Sequence, residues 1–177
     1  EGVTNIGSNA FMDCYELTQI SIPSSVTYIG ENAFSNCSNL TSIKIPNGVQ
    51  SIGSHAFSYC SNLTEITVSD SVNYIGDNAF AYCTSLTEID LPDNITSIGY
   101  NMFWGSGLTH ITIPENVAYI DSGAFCECSA LASVTIPEGV TGIGNDAFYN
   151  CSGLTTVNYQ GYEENKSNMM IDSGNEA

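Results

Sequence analysis

The sequence has 177 residues, of which 42% are hydrophobic, so it encodes one folded domain or one short array of repeats. Two Lys or Arg residues and 19 Asp or Glu residues give a formal net charge of -17. Nucleic acid and anionic membrane surfaces are bound by clustered Lys and Arg, so we expect neither as a partner. Apolar runs are far shorter than the roughly 20 residues that cross a bilayer, so we expect no membrane insertion. The chain starts at Glu1 without a signal peptide, and we expect it to be a fragment of a longer protein.

An internal repeat runs through the chain with a period of 23 residues. Its marker is an Ala-Phe pair, or Met-Phe once, at Phe11, Phe34, Phe57, Phe80, Phe103, Phe125 and Phe148. One step has 22 residues, which places a one-residue deletion in the loop 104–108. Each repeat follows the pattern L-T-x-I-x-I-P-x-x-V-x-x-I-G-x-x-A-F-x-x-C, and the first repeat is incomplete.

Each repeat predicts the same order of local structure. The I-x-I step has β-branched residues with a period of two, which predicts a short strand. A glycine column after the second half-repeat predicts a positive φ. The residues of that column are Gly30, Gly53, Gly76, Gly99, Asp121 and Gly144. The segment from there to the Cys lacks strand alternation and predicts a short helical or 3₁₀ turn.

No single repeat can bury its own apolar columns, so we expect the repeats to stack as coils with parallel strands about 4.8 Å apart. Residues 1–159 then form an array of about seven 23-residue repeats, with the Phe rings stacked in one column. Residues 160–177 are predicted to form a C-terminal cap or tail in which Met169, Met170 and Ile171 cover the last coil. The incomplete first coil predicts end-to-end contact between chains, or an upstream repeat in the full protein.

The repeat pattern resembles the BspA-like (Treponema-type) leucine-rich repeat family over about residues 3–159. The tail segments 159–164 and 171–176 are similar to the cap that closes such arrays. The resemblance implies a leucine-rich-repeat solenoid, a right-handed coil with a parallel β-sheet on one face and short 3₁₀ or helical turns on the other side. It also implies a secreted or cell-surface protein of a host-associated bacterium that adheres to host proteins or cells. The family carries no catalytic motif, so it supplies no catalytic residue.

Six of the seven cysteines occupy one repeat position. They are Cys14, Cys37, Cys60, Cys83, Cys128 and Cys151. In-register columns have parallel Cβ vectors, whereas a disulfide needs Cβ atoms turned toward each other, so we expect a ladder of buried free thiols. The alternative is a redox or metal site, but a linear ladder does not converge on one point as zinc ligands do. Cys126 lies outside the column and is expected to be exposed.

The outward positions of the predicted strands form polar columns, the usual recognition surface of repeat proteins. Glu65, Glu88 and Asp90 bring three carboxylates together in adjacent coils, either as a solvated acidic patch or around a bound cation. Glu88, His110 and Ser133 follow the order of an acid–base–nucleophile triad. An open sheet face offers no pocket or oxyanion hole, so we expect no catalytic residue. We also expect no metal ligand and no cofactor, and we retain the carboxylates and His110 as candidate ligand-binding residues.

Aromatic residues cluster after the repeat Phe and are expected to face outward. They are Tyr59, Tyr82, Trp104 and Tyr149, and a second column contains Tyr28, Tyr74 and Tyr119. An aromatic stripe of this kind binds a partner or stacks on a carbohydrate; alternatively, the tyrosines only cover the loops and stack between coils. Trp104 lies in the irregular repeat and is the leading candidate contact.

Two functions are therefore open. The first is a non-catalytic recognition module of a cell-surface or secreted, adhesin-like protein that binds a host protein or glycan. The second is a passive structural spacer that presents another domain. An enzyme is poorly supported. The irregular segment 100–110 favours recognition, because a spacer is expected to be uniformly polar.

Overall fold

The computed structural model describes residues 2–162 and 169–175, which form a parallel β-solenoid. The strands are β1 (Asn5–Ile6), β2 (Tyr28–Ile29), β3 (Ser42–Lys44), β4 (Ser51–Ile52), β5 (Glu65–Thr67), β6 (Tyr74–Ile75), β7 (Ser97–Ile98), β8 (His110–Thr112), β9 (Tyr119–Ile120), β10 (Ser133–Ile136), β11 (Gly142–Ile143), β12 (Thr156–Tyr159) and β13 (Met170–Ile171). Glu163, Glu164 and Glu176 of the predicted cap lie outside the described residues.

The strands stack in parallel in two columns along the solenoid. β3 pairs with β5, and β8, β10 and β12 pair in order, which confirms the strand predicted from the I-x-I step in five coils. Residues 20–22 and 89–91, where the same step predicts a strand, form none. A second column contains β1, β2, β4 and β6, then β7, β9, β11 and β13. The repeat pattern does not predict this second column, because two-residue strands are too short to show a period of two.

The segment after each second strand is a succession of hydrogen-bonded turns, as predicted, and the described chain contains no helix. Ala33 N donates to Gly30 O at 3.2 Å, and Cys37 N donates to Phe34 O at 3.2 Å, which is the 3₁₀ bonding pattern. Residues with positive φ recur every four positions, as at Asn32 with 52°, and they prevent the turns from continuing as a helix.

The predicted positive φ in the glycine column is wrong. Positive φ lies two residues later in each coil, at Asn9, Asn32, His55, Asn78, Asn101, Gly123 and Asp146. Glycine is needed in its column for a different reason, because successive backbones approach closely there. A Cβ at Gly53 would lie 2.7 Å from Glu31 N, and a Cβ at Gly30 would lie 2.5 Å from Ser8 N. Glycine therefore recurs in this column because successive coils pack closely there, and not because the backbone needs a positive φ.

The Phe column forms the predicted aromatic stack. Ring centroids of successive Phe side chains lie 5.2 to 5.7 Å apart. Phe34 and Phe57 have an interplanar angle of 4°. The five inner rings are fully buried, namely Phe34, Phe57, Phe80, Phe103 and Phe125. Burial of an aromatic side chain in every coil gives the solenoid one continuous core.

The cysteine column forms the predicted ladder of free thiols. Cys37, Cys60, Cys83, Cys128 and Cys151 are buried, and Cys14 is half-buried. Each buried thiol donates to the carbonyl of an upstream Phe, as from Cys60 Sγ to Phe34 O at 3.2 Å. In the shortened coil Ser106 takes the column position, and its hydroxyl lies 3.3 Å from Cys128 Sγ. Cys126 is half-buried and not exposed as predicted.

The C-terminal segment adds one further strand to the second column. β13 pairs with β11, and the Asn175 side chain donates to Gly144 O at 2.9 Å. Met169 is partly buried against the core. Met170 and Ile171 remain 66% and 55% exposed, so these two side chains do not cover the last coil as predicted.

Candidate recognition surfaces

Three predicted site residues form an aromatic cluster on the turn side of the solenoid. The Tyr59 and Tyr82 rings stack with centroids 4.8 Å apart and an interplanar angle of 13°. Trp104 continues the cluster at 5.4 Å from Tyr82, tilted by 44°. Tyr59 is 51% exposed, whereas Tyr82 and Trp104 are half-buried, so the outward position predicted for all three holds fully for Tyr59 alone.

The two stacked tyrosines occupy unusual backbone positions. Tyr59 has φ 60° and Tyr82 has φ 59°, a region that costs roughly 1–2 kcal/mol for a residue with a Cβ. The equivalent residues of the other coils are Asp13, Asn36, Gly105, Glu127 and Asn150. Asn, Asp and Gly adopt this conformation more readily than a bulky aromatic residue. The repeat alignment shows the two tyrosines as exceptions, but only the structure shows the backbone conformation that they occupy.

Gly105 makes room for the cluster. It has φ 63°, and a Cβ there would lie 2.8 Å from Tyr82 Cδ1, so the Tyr82 ring occupies the space of the missing side chain. The indole Nε1 of Trp104 is buried and has no hydrogen-bond partner in the structure. Trp104 therefore presents carbon atoms, and not its N–H group, at the surface. Partial burial, followed by the Glu127 carboxylate, raises the pKa of Tyr82.

The other tyrosines lie apart from this cluster. Tyr149 is 49% exposed and makes no ring contact with Trp104 among the residues that the structure describes. Tyr28, Tyr74 and Tyr119 occupy the second strand column, where Ser51 and Ser97 stand in alternate coils. The four predicted aromatic site residues therefore divide into the cluster of Tyr59, Tyr82 and Trp104 and the separate Tyr149.

The remaining predicted site residues line a groove on the strand side, which we call the acidic groove. Glu65, Glu88, Asp90 and His110 all contribute to its wall, and Asp93 adds a fourth carboxylate that the repeat pattern does not single out. The groove has a volume of about 470 Å³ and apolar side chains such as Ile89 at its base. Four carboxylates and one imidazole give it a negative potential.

The acidic groove has only weak internal pairing. His110 Nε2 lies 4.0 Å from Glu88 Oε2, and both side chains are largely exposed, so this ion pair adds little stability. His110 Nδ1 lies 3.1 Å from the Thr109 hydroxyl. Ser133 is beside His110 in the strand register, but no hydrogen bond joins the two within the described chain. The geometry therefore does not build the triad that the order of residues suggests.

The buried thiols of the ladder are not activated by their environment. Burial raises the pKa of Cys83 to about 12 and that of Cys128 to about 11. Burial also raises the pKa of Cys37 to about 11 and that of Cys151 to about 12. These thiols are protonated at neutral pH, and a protonated thiol is a poor nucleophile and a poor metal ligand.

Residues 2–162 and 169–175 contain no group of three His, Cys, Asp or Glu side chains that could hold a metal ion. Within the same residues, no helix is long and apolar enough to cross a membrane.

Comparison with known proteins decides the family. A family model described as the BspA type leucine rich repeat region, with six copies, matches residues 4–132 and 51–170. The chain belongs to this family. Membership indicates a repeat protein of the kind found at bacterial cell surfaces and favours a binding or recognition role. No curated protein matches the chain.

Solved structures of bacterial leucine-rich repeat proteins are similar to this BspA-type chain. A leucine rich cell surface protein of Faecalibacterium prausnitzii is 34% identical with a TM-score of 0.77, over 97% of this chain and 55% of that chain. The leucine rich repeat protein of T. pallidum is 33% identical with a TM-score of 0.61, over 88% and 63%. A Bacteroides ovatus protein is 30% identical with a TM-score of 0.57, over 97% and 64%. The chain therefore corresponds to between about half and two thirds of the length of these proteins.

Proposed function

We propose that the chain is the non-catalytic recognition region of a cell-surface or secreted protein and that it binds a protein or glycan ligand of host origin. Family membership supports a recognition role, and the Faecalibacterium relative is a cell surface protein. Residues 1–159 form the binding array in this proposal, and residues 160–177 form a C-terminal cap or tail.

The observation that carries the proposal is the aromatic cluster. Tyr59 and Tyr82 are stacked at positions where the backbone would be less strained with Asn, Asp or Gly. Backbone conformation therefore disfavours these two side chains, whereas an aromatic surface is a common contact for proteins and sugars. Trp104 extends the same surface by one coil.

The acidic groove supplies a second contact region with a different chemistry. Glu65, Glu88, Asp90 and His110 are exposed around an apolar base, which suits a partner that carries positive charge or many hydroxyl groups. Tyr149 lies outside both surfaces, so its contribution to binding is expected to be smaller than that of Tyr59.

The proposal is tested on a glycan array and a panel of host-matrix proteins. Tyr59→Asn and Tyr82→Asn are the informative variants, because Asn36 and Asn150 already occupy the same backbone position. Tyr74→Ser is the matched control, since it removes an exposed tyrosine from a column where Ser51 and Ser97 occur. A saturable ligand that is lost in both Asn variants and kept in Tyr74→Ser supports the proposal.

Two outcomes contradict it. A ligand that binds both Asn variants as tightly as the unsubstituted chain removes the aromatic cluster from the site, and the same test with Glu88→Gln then examines the acidic groove. No binding on either panel favours the spacer function. End-to-end contact between chains at the incomplete first coil, or an upstream repeat in its place, remains a prediction. Val3, Phe11 and Ile20 line an apolar edge of that coil, and a strict monomer in light scattering at high concentration would contradict the contact.

A further inference from the structure

One interface between coils differs from the others on the strand side. In a regular interface, three backbone N–H groups of one coil donate to the preceding coil. For the coil 63–85 these bonds are Thr64 N to Thr41 O, Asn73 N to Gln50 O and Gly76 N to Ile52 O, each 2.9 Å long. The equivalent donors of the coil 86–107 are Thr87, Thr96 and Gly99. None of them donates to the backbone of the coil 63–85 in the described structure. We call this the split interface.

The pattern returns one coil later. Thr109 N donates to Thr87 O at 3.0 Å, Ala118 N to Thr96 O at 3.0 Å, and Asp121 N to Ile98 O at 2.8 Å. The strand pairing has the same interruption, because β6 does not pair with β7 while β7 pairs with β9. The bonds from Thr87, in the first strand column, and from Thr96 and Gly99, on either side of β7, are thus all missing at the split interface, and β6–β7 is the one break along the second strand column described. In the first strand column the coil 86–107 forms no strand, so strand pairing there stops at β5 and resumes at β8.

The turn side of the split interface is continuous. Asn78 N donates to Tyr100 O at 2.9 Å, Phe80 N to Met102 O at 2.9 Å, and Tyr82 N to Trp104 O at 2.7 Å. The Phe80 and Phe103 rings remain stacked at 5.6 Å. The two coils are therefore joined along one side and separated along the other.

Packing on the strand side of the split interface is looser than elsewhere. Four side chains bordering it keep slight exposure, with Ile66 at 7%, Val68 at 9%, Ile75 at 6% and Ile89 at 7%, whereas Ile98 across the interface is fully buried. The equivalent side chains one coil away are more fully buried, with Ile43 at 4%, Ile45 at 1% and Ile52 at 0%. These four side chains are therefore packed slightly less tightly than their equivalents one coil away.

The glycine column shows the same separation. A Cβ at Gly76 would overlap the backbone of Ser54 in the preceding coil. A Cβ at Gly99 would meet no backbone atom closer than Ile75 O at 3.8 Å, and its nearest neighbour would be the Asp77 side chain at 3.0 Å. The Asp77 carboxylate accepts from Tyr100 N at 3.1 Å, so a side chain bridges the two coils where backbone bonds are missing.

We propose that the solenoid bends at the split interface, with the turn side as the hinge and the strand side as the part that opens and closes. The acidic groove lies across this interface, since Glu65 belongs to one coil and Glu88 and Asp90 to the next. Repulsion between these carboxylates favours the open form. Bending changes the width of the groove while the aromatic cluster, on the hinge side, keeps its geometry. This proposal is independent of whether a ligand binds.

The first test is amide hydrogen exchange followed by NMR on the full chain. The amides of Thr87, Thr96 and Gly99 are expected to exchange at least about tenfold faster than their equivalents in the neighbouring coils. The internal controls are Asn78, Phe80 and Tyr82, whose amides bridge the same two coils on the turn side and are expected to be protected. Equal protection of the strand-side amides at all interfaces would overturn the proposal.

The second test compares Gly99→Ala with Gly76→Ala. At Gly99 the added methyl group would meet the Asp77 side chain at 3.0 Å and no backbone atom closer than 3.8 Å, so a small shift of that side chain accommodates it and the thermal midpoint is expected to fall far less than in Gly76→Ala. At Gly76 it overlaps backbone atoms, so a large loss of stability or failure to fold is expected. A Gly99→Ala variant that is destabilised as strongly as Gly76→Ala would show that the split interface closes as tightly as the others.

Discussion

The turn side and the strand side of the solenoid bind neighbouring coils in different ways. On the turn side, residues with positive φ direct their N–H groups to the next coil, as from Asn32 N to Ser54 O at 3.0 Å. These turn-side hydrogen bonds continue through the split interface, where the backbone hydrogen bonds of the strand side are missing. The comparison teaches that the turns and the Phe stack hold the coils in line, while the strand side can vary without breaking the array.

The largest expected effect is on the Phe stack. Phe57→Ala removes a fully buried ring and is expected to lower the free energy of unfolding by about 3–5 kcal/mol. Ile89→Ala, on the strand side of the split interface, removes a smaller side chain that is 7% exposed, so its cost is expected to be smaller. Urea denaturation of both variants measures the difference, and an equal loss would contradict the greater contribution of the turn side.

Alkaline pH is expected to weaken the thiol ladder next to the Phe stack. An unfolded Cys loses its proton near pH 8.5, whereas burial raises the pKa of Cys83 to about 12 in the folded chain. The folded chain therefore holds a proton that the unfolded chain releases, and stability falls as pH rises from about 9 toward the folded pKa. The slope is about 1.4 kcal/mol per pH unit for each such thiol.

The measurement is the free energy of unfolding between about pH 9 and pH 11 in urea. Cys83→Ala is expected to make the decline shallower, and Cys126→Ser, at a half-buried thiol outside the column, is expected to change it less. An unchanged slope in Cys83→Ala would show that this thiol does not contribute.

A smaller effect is expected at the residues with positive φ. Asn78→Ala places a residue that tolerates this conformation poorly at φ 57° and is expected to cost roughly 1–2 kcal/mol. Asn73→Ala, at an exposed strand-side position, is the control and is expected to change stability by no more than about 0.5 kcal/mol. Thermal denaturation of the two variants distinguishes them, and a greater loss in Asn73→Ala would reverse the order of the two sides.

The smallest effect is expected at the acidic groove. Glu65→Gln removes one of the carboxylates that face each other across the split interface, so a slight rise in thermal stability is expected at low ionic strength. The rise is expected to disappear in high salt, because screening removes the repulsion in the unsubstituted chain. Glu115→Gln, exposed outside the groove, is the control, and an equal rise in it would point to net charge instead of the groove.

The repeat pattern in the sequence was sufficient to predict the aromatic core and the thiol ladder. Both depend on side chains that recur once per coil, and stacking brings equivalent residues together at any exact repeat. The same logic assigned positive φ to the wrong column. A glycine is compatible either with unusual φ or with close backbone approach, and only the positions of Gly53 and Glu31 in space distinguish the two.

The candidate surfaces divide in the same way. The sequence groups Tyr59, Tyr82, Trp104 and Tyr149 because all four closely follow a repeat Phe. In the structure the first three are in contact and Tyr149 lies apart. The residues Tyr59 and Tyr82 are two positions after Phe, whereas Trp104 and Tyr149 are one position after it. Whether two aromatic rings of successive coils touch depends on the direction of their side chains, and that direction depends on the φ of the turn residues.

By itself the sequence determined the period, the first strand and the turn segment of a coil, the continuous core and the acidic character of the chain. These follow from residue types at fixed spacing, because a repeated unit with an apolar face can bury it only against its neighbours. Only the tertiary structure decided where the coils separate, that the carboxylates surround a groove and that two tyrosines occupy strained positions. Those properties depend on small differences in contact between coils with nearly identical patterns, so they appear only when the coils are placed side by side.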